Sequence, residues 1–232
     1  MSAAQSGENA IPKRGSWSQN VRSELASEFI DFCARVPQIR NRLLPRALEY
    51  FRRSNLEVNP YNNPPRVLEL RYITMRNLFN SFARALEDGR ISPRVRRAFI
   101  KNLIGGAIMG KPDDDWPFFQ RYGYDPPSVL VLAPSQVCNL SCRGCYANSH
   151  TKTRATLPYD IVTKILDEKR EDWGSHFTVL TGGEPLLYKS QGKTIFDVLA
   201  HAHEDYHLMY TNGTLINRDV AKRMADLGNV SP

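Results

Sequence analysis

Ser128-Val129-Leu130-Val131-Leu132-Ala133-Pro134-Ser135-Gln136-Val137-Cys138-Asn139-Leu140-Ser141-Cys142-Arg143-Gly144-Cys145 is the stretch on which the reading of this chain turns. It opens on a short apolar run, the pattern of a parallel strand buried on both faces. It ends on three of the chain's four cysteines, spaced C-x3-C-x2-C. A cubane iron–sulfur cluster normally takes four thiolates, so three in one loop would leave one iron open to bind and activate a small molecule. Two plainer readings compete. Cysteines at these spacings would also line one face of a helix, but Asn139, Ser141, Arg143 and Gly144 make a poor helical core. Structural zinc wants four ligands, often as two separated C-x2-C pairs; here there is one triplet, with His150 as the nearby candidate for a fourth. Cys33, among Phe29, Ile30, Phe32 and Ala34, reads as a core residue, a fourth cluster ligand being the sharper alternative.

Downstream of this stretch, strand and helix patterns alternate. Phe177–Leu180 and Leu208–Thr211 read as the second and third strands. Helices follow from about Pro158 (Ile161, Val162, Ile165, Leu166), over Ile195–Leu199, and after Asn217, a fitting N-cap, with Val220, Ala221, Met224 and Leu227 inward and Gly228 at the end. Three βα units imply a parallel sheet with right-handed crossovers. Each strand is followed by a segment with chemistry in it: the cysteines, then Thr181-Gly182-Gly183-Glu184-Pro185, then Tyr210-Thr211-Asn212-Gly213-Thr214. In parallel α/β barrels the active site occupies that face. The glycines let backbone approach a ligand with no Cβ in the way; an ordinary strand-to-loop turn is the plainer reading. Asn212-Gly213 also suits a simple turn.

Upstream, the pattern is helical. Val21, Leu25, Phe29, Ile30 and Cys33 follow helical spacing, as do Leu43, Leu44, Ala47, Leu48 and Phe51, which requires Pro45 in a first turn. A long amphipathic helix carries Leu68, Tyr72, Met75, Leu78, Phe79, Phe82 and Leu86 to Gly89, and Ser92-Pro93 starts another. The expected organisation is a polar tail over 1–19, a helical region over 20–110, a linker over 111–127 with three consecutive aspartates, and the α/β part over 128–232.

The chain has 232 residues, 41% of them apolar, and a net charge of +7. Residues 1–120 hold 19 Lys/Arg against 12 Asp/Glu, and residues 121–232 hold 12 of each, so the excess is wholly N-terminal. Without interleaved aromatics or a basic motif this reads as solvated arginine-rich helix faces, which argues against a nucleic-acid partner. No run long and apolar enough for a membrane span and no signal-peptide pattern is present. Few, clustered cysteines suit a reducing cytoplasm better than a disulfide scaffold. The five histidines form no spaced set with carboxylates and read as surface or core residues.

Taken in register, the cysteine triplet, the Gly182-Gly183-Glu184-Pro185 segment and the T-N-G segment at Thr211–Gly213 resemble the radical S-adenosylmethionine (radical SAM) superfamily. One departure is Gly144, where the family often has an aromatic near the adenine; Tyr146 follows the third cysteine instead. The resemblance implies an α/β fold: the first three βα units of a partial (β/α)6 TIM-like barrel, preceded by an all-α region. It implies that Cys138, Cys142 and Cys145 hold a 4Fe–4S cluster, and that Gly182, Gly183, Glu184, Pro185, Tyr146 and Asn212 surround S-adenosylmethionine, Glu184 by shaping its segment. It also implies reductive cleavage of S-adenosylmethionine to a 5′-deoxyadenosyl radical that abstracts hydrogen from an unidentified substrate. A flavodoxin- or ferredoxin-like one-electron donor is the implied partner. Catalytic residues beyond the cofactor set are not assigned. The resemblance extends to peptide- and cofactor-maturation enzymes of this superfamily. Against the family's core, the chain is expected to be an N-terminal fragment that ends before a fourth strand, with little activity alone. The competing class is a non-catalytic iron–sulfur or zinc module for electron transfer or structure.

Overall fold

The computed structural model describes residues 28–53, 62–102, 117–124, 126–149, 152 and 155–232. The tail expected over 1–19, Val21 and Leu25, the aspartate run, residues 111–116 and 125 of the expected linker, and His150 lie outside these residues.

The C-terminal part is built on a parallel sheet. Its strands are β1 (Leu130–Leu132), β2 (Phe177–Leu180), β5 (Tyr206–Met209) and β6 (Val230–Ser231), in the spatial order β1-β2-β5-β6, with every pairing parallel. Where the sequence reading counts three strands, Val230 and Ser231 already pair with His207 and Leu208 as a fourth. A two-stranded antiparallel pair, β3 (Lys189–Ser190) and β4 (Lys193–Thr194), stands apart. The third strand begins two residues earlier than its apolar run suggests: Tyr206 pairs with Phe177 although it follows the polar Glu204-Asp205. The fold is a mixed α/β arrangement on a parallel sheet.

Period-two alternation gives each strand two faces. One face carries Leu132, Leu180, Met209 and Val230. It packs against α5 (Tyr159–Trp173) through Val162 and Leu166, α6 (Ile195–His201) through Val198 and Leu199, and α7 (Arg218–Leu227) through Met224. Asn217 caps α7 by accepting from Val220 N at 2.9 Å, and Gly228 ends it in the left-handed conformation. Ile161, expected on the inward face of α5, is 41% exposed; the buried stripe of the helix runs through Val162, Thr163, Leu166 and Lys169 instead.

The other face carries Phe177, Val179, Tyr206 and Leu208, and it is covered from the N-terminal side. Here α3 (Pro93–Phe99), capped by Ser92, lays Val95, Ala98 and Phe99 across the strands. Phe99 stacks on Phe82 of α2 (Pro65–Glu87) at 4.3 Å and meets Tyr206 edge-on at 5.5 Å. Asn102 donates to Glu204 O at 3.0 Å, and Arg94 donates to the Asp226 carbonyl. Ahead of α2 runs α1 (Pro37–Arg53). Pro45 lies inside α1, not in its first turn: Pro37 occupies the start, and the helix continues through Pro45 without the amide bond that proline lacks. Phe29 is 64% exposed, whereas Asp31 is buried, because Asp31 accepts from Arg96 at 2.6 Å. Cys33 is half-buried and free. The short helix α4 (Pro117–Tyr122) precedes β1.

Between α5 and the sheet sits a buried polar cluster. Lys169 reaches Asp205 at 2.7 Å and Thr178 at 3.0 Å, and His176 meets Asp205 at 3.1 Å. Burial raises the Asp205 carboxyl, but His176 and Lys169 more than offset this and hold it below its ordinary range. His201 pairs with Asp167 at 2.9 Å. His176 and His201 thus do find carboxylates, though across the fold, 29 and 34 residues away, where no local spacing could reveal them.

Candidate active site

The site lies at the C-terminal ends of β1, β2 and β5, where three loops meet. The first runs from Ala133 into the cysteines. Its root is pinned on one side by Thr156, whose hydroxyl is 2.9 Å from Ser135 Oγ, and by the bond from Gln136 N to Ala155 O at 2.9 Å. On the other side it is pinned by the glycine segment: Gly183 N donates to Ser135 O at 2.9 Å and Glu184 N to Val137 O at 2.8 Å.

This contact is closer than side chains would permit. A Cβ on Gly182 would stand 2.4 Å from Ser135 O, and one on Gly183 only 2.2 Å from Val137 O. Gly182 also has φ +109°, a conformation open to glycine. The sequence reading has the glycines clearing space for a ligand; in the fold their empty Cβ positions are directed at the backbone of 133–137. The glycines therefore bring the root of the cysteine loop against the loop after β2.

Glu184 ties this loop to the third. It is 1% exposed and caps the turn Pro185–Leu187 by accepting from Leu186 N at 3.0 Å. Its two oxygens lie 2.8 and 2.9 Å from Thr211 Oγ1, and it accepts from Asn212 N at 2.8 Å. A buried carboxylate with this many donors is satisfied, as burial of a charge requires. Glu184 thereby joins its own turn to the loop after β5. Pro185 is buried beside it.

The third loop returns to the first. Asn212 Nδ2 donates to Asn139 Oδ1 at 2.9 Å and lies 3.8 Å from Cys138 Sγ. Asn139 Nδ2 donates to Thr214 Oγ1 at 2.8 Å. Tyr146, 80% exposed, spans from the far end of the cysteine loop to Thr181, hydroxyl to hydroxyl. Cys138, Gly183, Glu184, Tyr146 and Asn212 thus take part in hydrogen bonds between the loops on this one face, whereas Cys33 lies in the N-terminal helical part. Asn139, Thr214, Thr211 and Thr181 belong to the site without having been assigned a role from sequence. The signal for all four was their place inside the motifs themselves.

The three loop cysteines are free: Cys138 and Cys145 are half-buried and Cys142 is exposed. Cys145 N donates to Cys142 O at 3.2 Å, which turns the chain between them, and Leu140 N donates to Cys138 Sγ at 3.4 Å. Among the described residues no group of three His, Cys, Asp or Glu side chains stands in metal-holding geometry.

The Radical SAM superfamily model matches residues 132–232. The match takes in the sheet from Leu132 onward and all three loop motifs. Among curated proteins, the chain is 39% identical over 110 residues to a 7-carboxy-7-deazaguanine synthase of Halobacterium salinarum, covering 46% of this chain and 38% of that one. It is 29% identical over 110 residues to an Fe-coproporphyrin III synthase of Methanosarcina barkeri, covering 47% and 27%. The chain thus spans well under half the length of the curated relatives it matches. Among solved structures, it overlaps SuiB of Streptococcus suis bound to the precursor peptide SuiA, at 24% identity and TM-score 0.40, over 49% of this chain and 25% of that one. SuiB bound to S-adenosylmethionine overlaps at 19% identity and TM-score 0.40, over 68% and 36%.

The cofactors of the radical SAM domain are a 4Fe–4S cluster and S-adenosylmethionine. The residues present fit this pair in donor chemistry: three free thiols, the ligand type of such clusters, lie on one loop with hydrogen-bond donors on Cys138 Sγ. No described helix is long and apolar enough to cross a membrane.

Proposed function

We propose that this chain carries the cofactor-binding part of a radical SAM enzyme, in which Cys138, Cys142 and Cys145 hold the 4Fe–4S cluster. On this reading Gly182, Gly183, Glu184, Pro185, Tyr146 and Asn212 surround S-adenosylmethionine. When bound, the cluster supplies the electron that splits S-adenosylmethionine into methionine and a 5′-deoxyadenosyl radical, for hydrogen abstraction from the substrate. The chain's own residues position and shield. Glu184 fixes the loops after β2 and β5 in one register. Tyr146 stands over Thr181 at the glycine segment. The phenol and the T-N-G loop offer aromatic and amide surface beside the cysteines, suited to a nucleoside. The radical SAM relatives are enzymes by name, which supports enzymatic activity here. On this reading 128–232 is the cofactor-binding part, and α3 packs onto its sheet.

The observation that carries the reading is the junction itself: three sequence-distant motifs, hydrogen-bonded to one another at one end of a parallel sheet. The test is anaerobic reconstitution of the chain with iron and sulfide, followed by paramagnetic resonance with and without S-adenosylmethionine. Wild type and Cys33→Ala should take up a cluster whose spectrum responds to the cofactor. Cys138→Ala, Cys142→Ala and Cys145→Ala should lose it. A spectrum indifferent to S-adenosylmethionine would favour a non-catalytic iron–sulfur module, and cluster loss on Cys33→Ala in a folded protein would overturn the ligand set.

A further inference from the structure

We propose that Asn212 is a positioning residue for the cluster: with Asn139 and Thr214 it clamps the cysteine loop and holds an amide N–H on Cys138 Sγ. The proposal rests on the reading of Cys138, Cys142 and Cys145 as cluster ligands, and adds a residue that sets the properties of the bound cluster.

Asn139, Thr214 and Asn212 form a closed ring of hydrogen bonds. Asn139 Nδ2 donates to Thr214 Oγ1 at 2.8 Å, Thr214 Oγ1 donates to Asn212 Oδ1 at 2.6 Å, and Asn212 Nδ2 donates to Asn139 Oδ1 at 2.9 Å. Each member gives one proton and takes one, so the donors run in one direction round the ring, an arrangement in which hydrogen bonds reinforce one another. Thr214 N donates to the same Asn212 Oδ1 at 3.0 Å. The ring decides which way the Asn212 amide faces. Turned over, its oxygen would oppose Asn139 Oδ1, and its NH2 would oppose the Thr214 N–H. In the one satisfied orientation, Asn212 Nδ2 keeps a second proton, and Cys138 Sγ lies 3.8 Å from that nitrogen.

The ring has a firm base. The Asn212 backbone N–H is held at 2.8 Å by Glu184, a carboxylate that is itself 1% exposed. The strand before the ring and the turn after it are therefore anchored in the interior, while the ring reaches out to the exposed cysteine loop. Cys138 is singled out among the three thiols: Leu140 N, inside its own loop, and Asn212, from the loop after β5, both donate to it. Hydrogen bonds to ligating sulfurs are among the determinants of iron–sulfur reduction potentials, because they draw negative charge off the sulfur and ease reduction. Asn212 thus acts through Cys138, independently of any contact with S-adenosylmethionine.

The experiment uses the full chain in four forms: wild type, Asn212→Ala, Asn139→Ala and Thr214→Val. Hydrogen exchange of the cluster-free proteins over the peptide containing 137–142 reads the clamp. Redox titration of the reconstituted proteins, followed by paramagnetic resonance, reads the donor. All three variants should speed exchange in that peptide roughly two- to fivefold, as expected when exposed bonds of ordinary strength are lost. Asn212→Ala should also move the midpoint potential to a more negative value at unchanged iron content. Asn139→Ala and Thr214→Val, which keep the amide that faces the sulfur, should shift it less. Equal shifts in all three would overturn the donor role, and unchanged exchange in Asn212→Ala would overturn the clamp. Should Asn212→Ala fail to fold, Asn212→Asp keeps the acceptor for Thr214 and removes the donor; an unshifted potential there overturns the proposal equally. A wild-type chain that takes up no cluster defeats the ligand reading instead, and the clamp then stands or falls on exchange alone.

Discussion

Replacing Gly183 by alanine should cost far more than one methyl group ordinarily does, and the cost should fall on the cysteine loop. The added Cβ would stand 2.2 Å from Val137 O, 2.6 Å from Val137 C and 2.8 Å from Gln136 C. All three are backbone atoms, so no side chain can swing away. Ordinary carbon contacts lie near ~3.5 Å, so the 136–137 segment must retreat by about 1 Å. The retreat opens the bonds from Gly183 N to Ser135 O and from Glu184 N to Val137 O, each worth about 1 kcal/mol. Overpacking adds about 1–3 kcal/mol. The expected loss is about 3–5 kcal/mol, a large part of the roughly 5–15 kcal/mol that stabilises a typical domain. Gly213→Ala separates strain from collision: Gly213 has φ +74° with nothing within 4 Å of its Cβ position, so only the left-handed penalty of about 1–2 kcal/mol applies. Urea unfolding followed by circular dichroism measures both variants. Cluster absorbance after reconstitution shows whether Cys138, next to Val137, is displaced. Gly183→Ala should lose stability and cluster together, and Gly213→Ala should lose little of either. A Gly183→Ala protein within about 1 kcal/mol of wild type, with a full cluster, would refute the view that these glycines exist for loop-to-loop contact.

Two further outcomes are expected. Burial pushes the His207 imidazole down to about 4, against about 6.5 in an unfolded chain; the unfolded state therefore binds the proton first as pH falls. Its contribution is complete above pH ~6.5 and drains away between ~6.5 and ~4, by up to about 3 kcal/mol, and His207→Gln should flatten that part of the stability–pH curve measured by urea unfolding. Phe99→Ala removes the stack on Phe82 and the edge contact with Tyr206 and should lower the urea midpoint by the equivalent of about 2–3 kcal/mol in one transition; two separate transitions would show that the N-terminal helices fold apart from the sheet.

What was legible in the sequence was whatever local chemistry dictates. Phe177–Leu180 is a strand in the sequence and in the fold, because four apolar or β-branched residues buried on both sides can be little else. Asn217 and Gly228 bound α7 because capping is a contact between near neighbours. The three loop motifs were visible for the same reason: each is a short run with its own spacing. What was not legible is what one run does to another. That Gly182 and Gly183 lie against the backbone of Ser135 and Val137 cannot be read from their own run. Phe29 looks like core until Asp31 is seen to be held in its place by Arg96, 65 residues away. Val95, Ala98 and Phe99 have helical spacing, but only the fold says that their face meets Phe177 and Tyr206.

These non-local contacts explain why the motifs occur as a set. Cys138 is reached by Asn212, Asn212 is held by Glu184, and Glu184 N bonds Val137 O one residue before Cys138. The path is closed, passing through all three loops and returning to its start. A change in any member is therefore carried to the cysteine loop through bonded neighbours, with no movement of the sheet required. Glu184 is the member whose loss reaches furthest, since it is buried and serves donors from its own turn and from the loop after β5. With its carboxylate removed, Leu186 N, Thr211 and Asn212 N would each need a new acceptor inside a closed site, whereas losing Tyr146, most of whose ring is in solvent, leaves no such debt. The site thus has a rigid half, built from Glu184 and the glycines, and an adaptable half, built from Tyr146 and the exposed cysteine loop. On the proposed reading, the first half fixes the root of the loop that carries Cys138, Cys142 and Cys145, and the second leaves room for the cofactor's nucleoside.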